Sequence, residues 1–225
     1  MKPTRRRLLQ GAAALALPAA AGAQPAAAAP KVLRLASESE TGFDPARVGD
    51  ARSLRITSHI FETLLEFDPL ARPVKLRPRT ALAMPEPSAD FRTWTLRLKP
   101  GIHFTPDPAF AATTRGAPRE LVAADVAYSL KRLADPATRS PGWSAAEQVG
   151  ITGLAALRQE AVEQKKPFDY DRPIPGLQVL DRHTLRFVLD AGRPRFAQWL
   201  ASASTATVAR EVIEAHGELS MQHPV

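Results

Sequence analysis

The sequence of 225 residues contains no cysteine, and this absence excludes several kinds of chemistry. A protein without thiols forms neither disulfides nor thiolate metal sites, and it has no cysteine nucleophile. It also cannot carry a lipid-modified cysteine at a mature N-terminus. Binding and stability must therefore come from the other side chains and from the backbone.

Motifs of catalysis and nucleotide binding are absent from the sequence as well. There is no G-x-S-x-G, no phosphate loop, no G-x-G-x-x-G and no H-E-x-x-H. The five histidines are too dispersed along the chain to predict a metal site. Glu38 and Glu40 form a pair of nearby carboxylates, but no third acid accompanies them. We therefore predict that the protein is not an enzyme and uses no cofactor and no metal.

The positive charge of the sequence does not indicate nucleic-acid binding. There are 30 basic and 23 acidic residues, but four of the basic ones lie within the first ten positions. Without these four, 26 basic residues oppose 23 acidic ones and the net charge falls from +7 to +3. The remaining Lys and Arg are scattered and do not cluster with aromatic residues, so no nucleic-acid partner is predicted.

The first thirty residues have the composition of an export signal. Three arginines at positions 5–7 precede a mildly apolar, alanine-rich stretch that ends in small residues near Ala23. This stretch is shorter than the roughly 20 residues needed to span a membrane. We predict a cleaved signal peptide at 1–23 that resembles the twin-arginine type, although the same arginines would also serve an ordinary signal. A flexible lead-in is predicted at 24–30.

An alternation of apolar and polar residues marks the clearest strand. Trp94, Leu96 and Leu98 alternate with polar residues before the turn dipeptide Pro100-Gly101, and this period of two predicts a half-buried strand. The apolar residues after the turn predict a second strand and hence a hairpin over 93–104. Further strands are predicted at 32–36, 65–68, 176–180 and 184–189.

Helical periodicity predicts the remaining elements. A helix over 52–65 is predicted to bury a face formed by Ile56, Ile60 and Leu64. A helix over 123–134 is predicted to bury a face formed by Val126, Leu130 and Leu133. The helix dipole favours the positions of its charged residues, since an acid lies in the first turn and Lys131-Arg132 lie near the end. Further helices are predicted at 154–162, 195–203 and 208–216.

The order of these segments resembles a known family. The sequence contains, in order, F-D-P at 43–45 and the stretches H-I-F-E-T-L, L-E-F-D, L-R-L-K-P-G-I-H-F and D-V-A-Y-S-L-K-R. This series resembles the N-terminal part of the bacterial family 5 extracellular solute-binding proteins, the peptide- and dipeptide-binding components of ABC importers. The combination of L-R-L-K-P-G-I-H-F with D-V-A-Y-S-L-K-R is the most specific feature, and the resemblance covers residues 32–225.

The resemblance implies an α/β (mixed α+β) fold of the periplasmic binding protein-like type II, with lobe II and an incomplete lobe I. It places the start of lobe I at 31–60, lobe II at 61–200 and a return into lobe I at 201–225. Family members continue with G-T-G-P and a third lobe, and they enclose the ligand by hinge closure between lobes I and III. The residues that hold the ends of a peptide are therefore expected outside this sequence.

The sequence departs from the family pattern between its two most specific motifs. Where the family has H-D-G-x-P-F-T-A-E-D-V, residues 105–108 read T-P-D-P and a longer irregular loop is predicted up to Arg119. The threonine that caps the following helix in the family is Val122 here. This replacement is expected to weaken the helix cap by about 1 kcal/mol.

By the same resemblance, the part of the chain nearest the ligand is the connection between the first strand and the first helix. The candidate ligand-binding residues in this connection are Glu38, Val48, Gly49, Asp50 and Ala51. An extended peptide can bind to such a segment through backbone N–H and C=O groups, as an added strand does. The alternative interpretation is a solvated loop without a role in binding.

The implied function is that of a periplasmic substrate-binding protein of an ABC importer, which captures peptides or a similar small polar solute. The implied partners are that ligand, the ABC permease with its ATPase in the inner membrane, and the signal-recognising export machinery. A monomer is expected. Two alternatives stay open: a periplasmic sensing or interaction protein that reuses the scaffold, and a periplasmic hydrolase whose catalytic site would lie outside this sequence.

Overall fold

A computed structural model describes residues 31–34 and 39–225. The chain divides into two units, Met1–Ala36 and Ser37–Val225, and all elements named below belong to the second. The predicted signal peptide and the lead-in lie outside the described residues, as do the last two residues of the strand predicted at 32–36. Residues 32–34 are described, and they form no strand. None of the described helices is long and apolar enough to cross a membrane.

The second unit mixes helices and strands, as predicted. Its elements are, in chain order, α1 (Ala51–Ile60), β1 (Leu65–Phe67), β2 (Leu76–Pro78), β3 (Glu86–Pro87), β4 (Thr93–Arg97), a 3₁₀ turn (Pro108–Phe110), α2 (Ala111–Thr114), α3 (Ala123–Ala134), α4 (Trp143–Val149), α5 (Leu154–Gln164), β5 (Leu177–Asp181), β6 (Thr184–Val188), α6 (Phe196–Trp199), a second 3₁₀ turn (Ala203–Thr205), α7 (Arg210–His216) and a third 3₁₀ turn (Gly217–Met221).

A four-stranded antiparallel sheet in the order β3-β4-β6-β5 lies at the centre of this unit. In the β4–β6 pair, Trp94 is opposite Phe187 and Leu96 is opposite Leu185. Directly opposed residues project from the same face of a sheet, and all four of these side chains are buried. The alternation in the sequence therefore predicted the buried face of β4 correctly.

The predicted hairpin over 93–104 is wrong in its second half. Gly101 has a φ of +77°, which fits the predicted turn after Pro100. Beyond the turn, however, the chain does not pair with β4, and His103 instead forms a bridge with Glu120. The place beside β4 is taken by β6. Alternation identifies a strand and its buried face, but it carries no information about which distant strand will pair with it.

Helix α3 has the predicted bounds, and its predicted face is buried. Val126, Leu130 and Leu133 have no exposed surface, and they share one apolar core with the buried face of β4. The helix has no side-chain cap at Val122, but the Asp125 carboxylate accepts a hydrogen bond of 2.8 Å from the Val122 N–H. This bond replaces part of the stabilisation that a threonine cap would supply.

The β5–β6 hairpin and α5 also agree with the sequence prediction. The two strands pair with each other through a tight turn, with an irregularity between Val179 and Asp181. The connection that follows α5 buries Phe168 in the main core. Tyr170 packs against it, with ring centroids 5.0 Å apart. The sheet, α3 and α5 therefore form one continuous apolar core.

Helix α1 differs from the prediction in both its length and its buried face. It ends at Ile60, and the backbone at Phe61 is already extended. The buried residues of the helix are Ser53 and Thr57, whereas Ile60 is 41% exposed. Leu64 is buried, but it lies beyond the helix end. The i, i+4, i+8 spacing that predicted an apolar face thus ran across a helix terminus, so its three residues do not share one face.

The loop predicted at 105–119 contains short regular structure. Asp107 begins a 3₁₀ turn, because its carboxylate accepts a hydrogen bond of 2.7 Å from the Ala109 N–H. Helix α2 follows and ends at Thr114, and its C-cap Arg115 adopts a left-handed conformation. The apolar side of this loop packs against α7, where Phe110 and Val212 share a small buried cluster. The loop is therefore anchored to the C-terminal part of the chain.

Candidate ligand-binding segment and charged cleft

The segment 48–51 leads directly into α1, and Asp50 is the N-cap of that helix. Its carboxylate accepts hydrogen bonds from the backbone N–H groups of Ser53 (2.9 Å) and Arg52 (3.2 Å), and from the hydroxyl of Thr41 (2.6 Å). The bonds from Ser53 and Thr41 hold the pKa of Asp50 well below its usual value. The Asp50 side chain is therefore ionised and engaged in capping.

The other residues of the segment present their backbone. Val48 is 2% exposed, and its N–H donates to the Asp44 carbonyl, so this side chain anchors the segment in the protein. Gly49 and Ala51 are exposed. Within the described part of the chain, the N–H groups of Gly49 and Asp50 donate to no other residue, and that of Asp50 lies beside its own carboxylate. Glu38, the remaining candidate, lies outside the described residues.

Glycine at position 49 is required by a close neighbour. A Cβ atom placed on Gly49 would lie 2.9 Å from Cγ and 3.0 Å from Cβ of Pro141. Contacts this short are not tolerated between carbon atoms, so any side chain here would push the segment away from Pro141. The position of the segment therefore depends on the absence of a side chain at Gly49.

A buried ion pair holds the loop before this segment against α3. The Arg132 guanidinium donates to both carboxylate oxygens of Asp44, at 2.8 and 2.5 Å. The two side chains are 4% and 0% exposed. The Asp44 carboxylate also accepts the N–H of Ala46 at 3.0 Å. Bidentate pairing of this kind fixes both distance and orientation, so the loop 44–48 is rigidly attached to the end of α3.

The pair was not predicted from the sequence. The position of Arg132 near the end of α3 indicated a charge favoured by the helix dipole, whereas Arg132 is the buried partner of Asp44. The two residues are 88 positions apart. No local pattern connects an Asp-Pro loop with the last turn of a distant helix, so only the fold reveals the contact.

A cleft of about 730 Å³ lies at the opposite end of α1. We call it the charged cleft because two acids and two arginines line it. Arg77 Nε lies 2.7 Å from Glu66 Oε1, and Arg79 lies 3.4 Å from Glu62 and 3.6 Å from Glu66. Partly exposed ion pairs of this kind contribute only about 0–1 kcal/mol each. The ammonium or carboxylate group of a polar solute could therefore compete for them.

A second charged group joins the loop before α3 to α7. Arg119 Nη2 lies 2.6 Å from Asp125 Oδ1, and Arg119 Nε lies 2.8 Å from Glu211 Oε1. Burial raises the pKa of the Asp125 carboxyl above its usual value, even though Arg119 favours the ionised form. The three side chains are mostly buried and satisfy one another. This group therefore has a structural role.

Comparison with known proteins gives a consistent result. The family model described as bacterial extracellular solute-binding proteins, family 5 middle, matches residues 75–225. The periplasmic oligopeptide-binding protein OppA of Salmonella typhimurium is 28% identical over 211 residues, which are 94% of this chain and 34% of that protein. The two most specific sequence motifs, L-R-L-K-P-G-I-H-F and D-V-A-Y-S-L-K-R, lie within the region that the family model matches.

Solved structures of similar fold come from the same group. The murein tripeptide binding protein MppA of Escherichia coli is 27% identical with a TM-score of 0.59, over 79% of this chain and 30% of that one. Haemophilus influenzae OppA, in complex with the peptide RPPGFSPFR, is 23% identical with a TM-score of 0.62, over 80% of this chain and 31% of that one.

These comparisons confirm the fold class predicted from the sequence, that of the type II periplasmic binding proteins. The chain spans about a third of the length of the relatives that it matches. The family match, by contrast, extends over well more than half of the chain itself. The chain belongs to the family 5 bacterial extracellular solute-binding proteins.

Proposed function

We propose that these residues belong to a periplasmic substrate-binding protein that captures peptides, or a similar small polar solute, and delivers them to the permease of an ABC importer. The observation that carries the proposal is the family match over residues 75–225. Relatives named as oligopeptide-binding and murein tripeptide binding proteins favour peptides as the ligand class. The relatives are binding proteins by name, which also favours a function without covalent chemistry.

The segment 48–51, together with Glu38, is the proposed contact with the ligand. The buried Val48 side chain and the Asp44–Arg132 pair fix the segment. Two backbone N–H groups in it, those of Gly49 and Asp50, donate to no other residue in the part of the chain that the structure describes. A peptide carbonyl can accept from such groups, as in strand addition. The contact would depend on the ligand backbone and so would tolerate different side chains.

The ligand class can be tested on the natural gene product purified under native conditions. Mass spectrometry of the denatured protein should recover intact peptides, and calorimetry should show binding of those peptides but not of a mixture of free amino acids. Recovery of a different solute, with no binding of peptides, would contradict the proposed ligand. Cleavage of the titrated peptide would instead favour the hydrolase.

The proposed contact can be tested by hydrogen exchange in the same protein. A bound peptide should slow the exchange of the amides of Gly49 and Asp50, because their hydrogens would then be hydrogen-bonded. Free amino acids serve as the control ligand. Protection confined to the charged cleft, with no change in the segment 48–51, would show that the ligand contact has been assigned to the wrong place.

The proposed export can be tested separately. The mature protein should be recovered from the periplasm with Gln24 as its first residue. Replacing all three arginines at positions 5–7 by lysine keeps the positive charge that an ordinary signal needs, but it removes the arginine pair. Loss of export in this variant would support the twin-arginine route, and unchanged export would support the ordinary one.

A further inference from the structure

Three side chains that are far apart in the sequence come together beside the 3₁₀ turn Pro108–Phe110. Asp107 precedes this turn, His216 is the last residue of α7, and His223 follows the third 3₁₀ turn. His223 Nε2 lies 2.8 Å from Asp107 Oδ2, and His216 Nε2 lies 3.6 Å from Asp107 Oδ1. One ligand atom from each residue lies within 4.8 Å of the others. Two imidazoles and a carboxylate thus face one point.

The cluster is buried on one side and open on the other. The two imidazole rings stack with centroids 3.8 Å apart and an angle of 31° between their planes. The side chain of Asp107 is 4% exposed, that of His216 is 27% exposed and that of His223 is 45% exposed. The carboxylate therefore lies beneath the rings. An ion, with its own water molecules, could reach it from the side of His223.

One atom of the cluster lacks a partner. His216 Nε2 is inaccessible to solvent and has no hydrogen-bond partner among the described residues. Its distance of 3.6 Å from Asp107 Oδ1 is too long for a hydrogen bond. Buried polar atoms almost always have a partner, and each exception requires an explanation. Packing of two rings against a carboxylate would explain the stacking, but it leaves this nitrogen unsatisfied.

The separations between the ligand atoms are close to those found around a metal ion. Zn²⁺ binds histidine nitrogen and carboxylate oxygen at about 2.0–2.2 Å in a tetrahedral arrangement, which places neighbouring ligand atoms roughly 3.3 Å apart. The separations of 2.8 and 3.6 Å, which run to the two different oxygens of Asp107, lie on either side of this value. Side-chain rotations that direct both imidazoles at one carboxylate oxygen would form the coordination sphere. A fourth position would remain for water.

We propose that Asp107, His216 and His223 form a binding site for a divalent transition-metal ion of the zinc type. Imidazole ligands favour Zn²⁺, Ni²⁺ or Cu²⁺, whereas Mg²⁺ and Ca²⁺ prefer oxygen ligands. The site shares no residue with the segment 48–51 and does not depend on the proposed function. It revises the prediction that the dispersed histidines form no metal site. Its carboxylate comes from the T-P-D-P loop that departs from the family pattern.

A bound ion would have a definite structural effect. It would connect the loop that contains Asp107 to the end of α7 and to the segment that contains His223. Metal that binds only the folded protein stabilises it, and an ion at 100 times its dissociation constant should raise Tm by on the order of 5 °C for a chain of this size. The same ion should have no such effect once its ligands are removed.

The test uses the whole chain without a histidine tag and the metal ion alone as the probe. Calorimetry with Zn²⁺ should show one ion bound per chain, and EDTA should reverse the rise in Tm. Co²⁺ should give visible absorption bands typical of nitrogen and oxygen ligands at low coordination number. Mg²⁺ should produce neither effect. Absence of saturable Zn²⁺ binding to the folded chain would overturn the proposal.

Variants separate this site from adventitious binding to surface histidines. His223→Gln changes a half-exposed side chain, and Asp107→Asn keeps an oxygen that can accept from the Ala109 N–H, so both variants should fold. Removing a residue that only hydrogen-bonds to a metal ligand lowers metal affinity roughly 10–100-fold. Removing a ligand itself should therefore weaken Zn²⁺ binding at least tenfold in each variant. His59→Gln, which removes an exposed histidine outside the cluster, should leave the affinity unchanged.

The variants must retain the circular dichroism and the metal-free Tm of the natural sequence, which shows that any lost binding is not a loss of folding. Unchanged Zn²⁺ affinity in Asp107→Asn would overturn the three-ligand site, even if His223→Gln binds weakly. An equal loss in His59→Gln would overturn it as well, because binding would then be distributed over surface histidines.

Discussion

Helices α1 and α3 are both amphipathic, yet they are buried in opposite ways. Helix α3 buries Val126, Leu130 and Leu133 against the sheet. Helix α1 buries the hydroxyl residues Ser53 and Thr57, and it leaves Ile60 at its end 41% exposed. The periodicity of apolar residues predicts that a helix forms, but the surrounding elements decide which face is covered. Where the sheet supplies an apolar surface, as it does for α3, the face predicted from periodicity is also the face that is buried.

The largest effect is expected at the Asp44–Arg132 ion pair, which connects the loop before α1 to the end of α3. Asp44→Asn removes the negative charge but leaves Arg132 buried in the end of α3. An unpaired buried charge is costly, and we expect the free energy of unfolding to fall by about 3–5 kcal/mol. Urea unfolding followed by circular dichroism measures this loss. Glu66→Gln, at a partly exposed pair in the charged cleft, is the control and should cost only about 0–1 kcal/mol.

The next largest effect compares the apolar faces of the two helices directly. Leu130→Ala in α3 opens a cavity in the core and should cost about 2–5 kcal/mol. Ile60→Ala in α1 removes an exposed side chain and should change stability by no more than about 0.5 kcal/mol. Urea unfolding of both variants checks the contrast. Similar losses in the two would mean that Ile60 is covered in solution, and the difference between the helices would disappear.

A smaller effect tests the polar face of α1. The hydroxyl of Thr57 is buried and has no hydrogen-bond partner among the described residues. Valine has nearly the same shape, so Thr57→Val should raise the free energy of unfolding by about 1 kcal/mol, because no buried hydroxyl is then left unsatisfied. The matched control is Ser53→Ala, since the Ser53 hydroxyl accepts the Thr41 N–H at 2.8 Å. That variant should lose stability.

Stabilisation of the Thr57→Val variant would be the sharpest evidence that α1 packs imperfectly. A loss of stability in Thr57→Val as large as that in Ser53→Ala would contradict the inference that the Thr57 hydroxyl is unsatisfied. The Thr57 hydroxyl would then have a partner in solution, and the buried polar face of α1 would be as well satisfied as the apolar face of α3.

The smallest effect is expected at Glu120, which lies beside the turn between β5 and β6. Hydrogen bonds from the Gly101 N–H, Arg182 and His183 lower the pKa of Glu120 from 4.5 to about 2. A carboxyl whose pKa is lower in the folded state stabilises the protein above pH 4.5, and this contribution is lost as the pH falls towards 2. Glu120→Gln should therefore lower Tm at pH 7, and the difference from the natural sequence should shrink as the pH approaches 2.

The same comparison explains how much of the fold could be predicted. The alternation in β4 and the spacing in α3 are local patterns, and each was long enough to determine an element and its buried face. Pairing of β4 with β6 was not predictable, because any strand with an apolar face would satisfy the same pattern. The end of α1 was missed because the apolar spacing continued into Leu64, beyond the point where the backbone becomes extended.

The candidate site shows a similar limit. The sequence motifs predicted the family correctly, and through it the segment 48–51, whose role in binding stays a prediction. The roles of single charged side chains could not be obtained in this way. The fold brings Arg132 to Asp44 and His216 to Asp107, and each pair joins distant parts of the chain. Composition and spacing do not encode such contacts.

The Asp44–Arg132 pair has a further consequence for a protein without cysteine. It closes a loop between positions 88 residues apart, as a disulfide can do in proteins that contain cysteine. A disulfide restricts the unfolded chain and needs an oxidant to form. The ion pair does neither, because it exists only in the folded state and forms again, unaided, each time the chain folds. The attachment of this loop is therefore indifferent to the redox state of the compartment in which the protein folds.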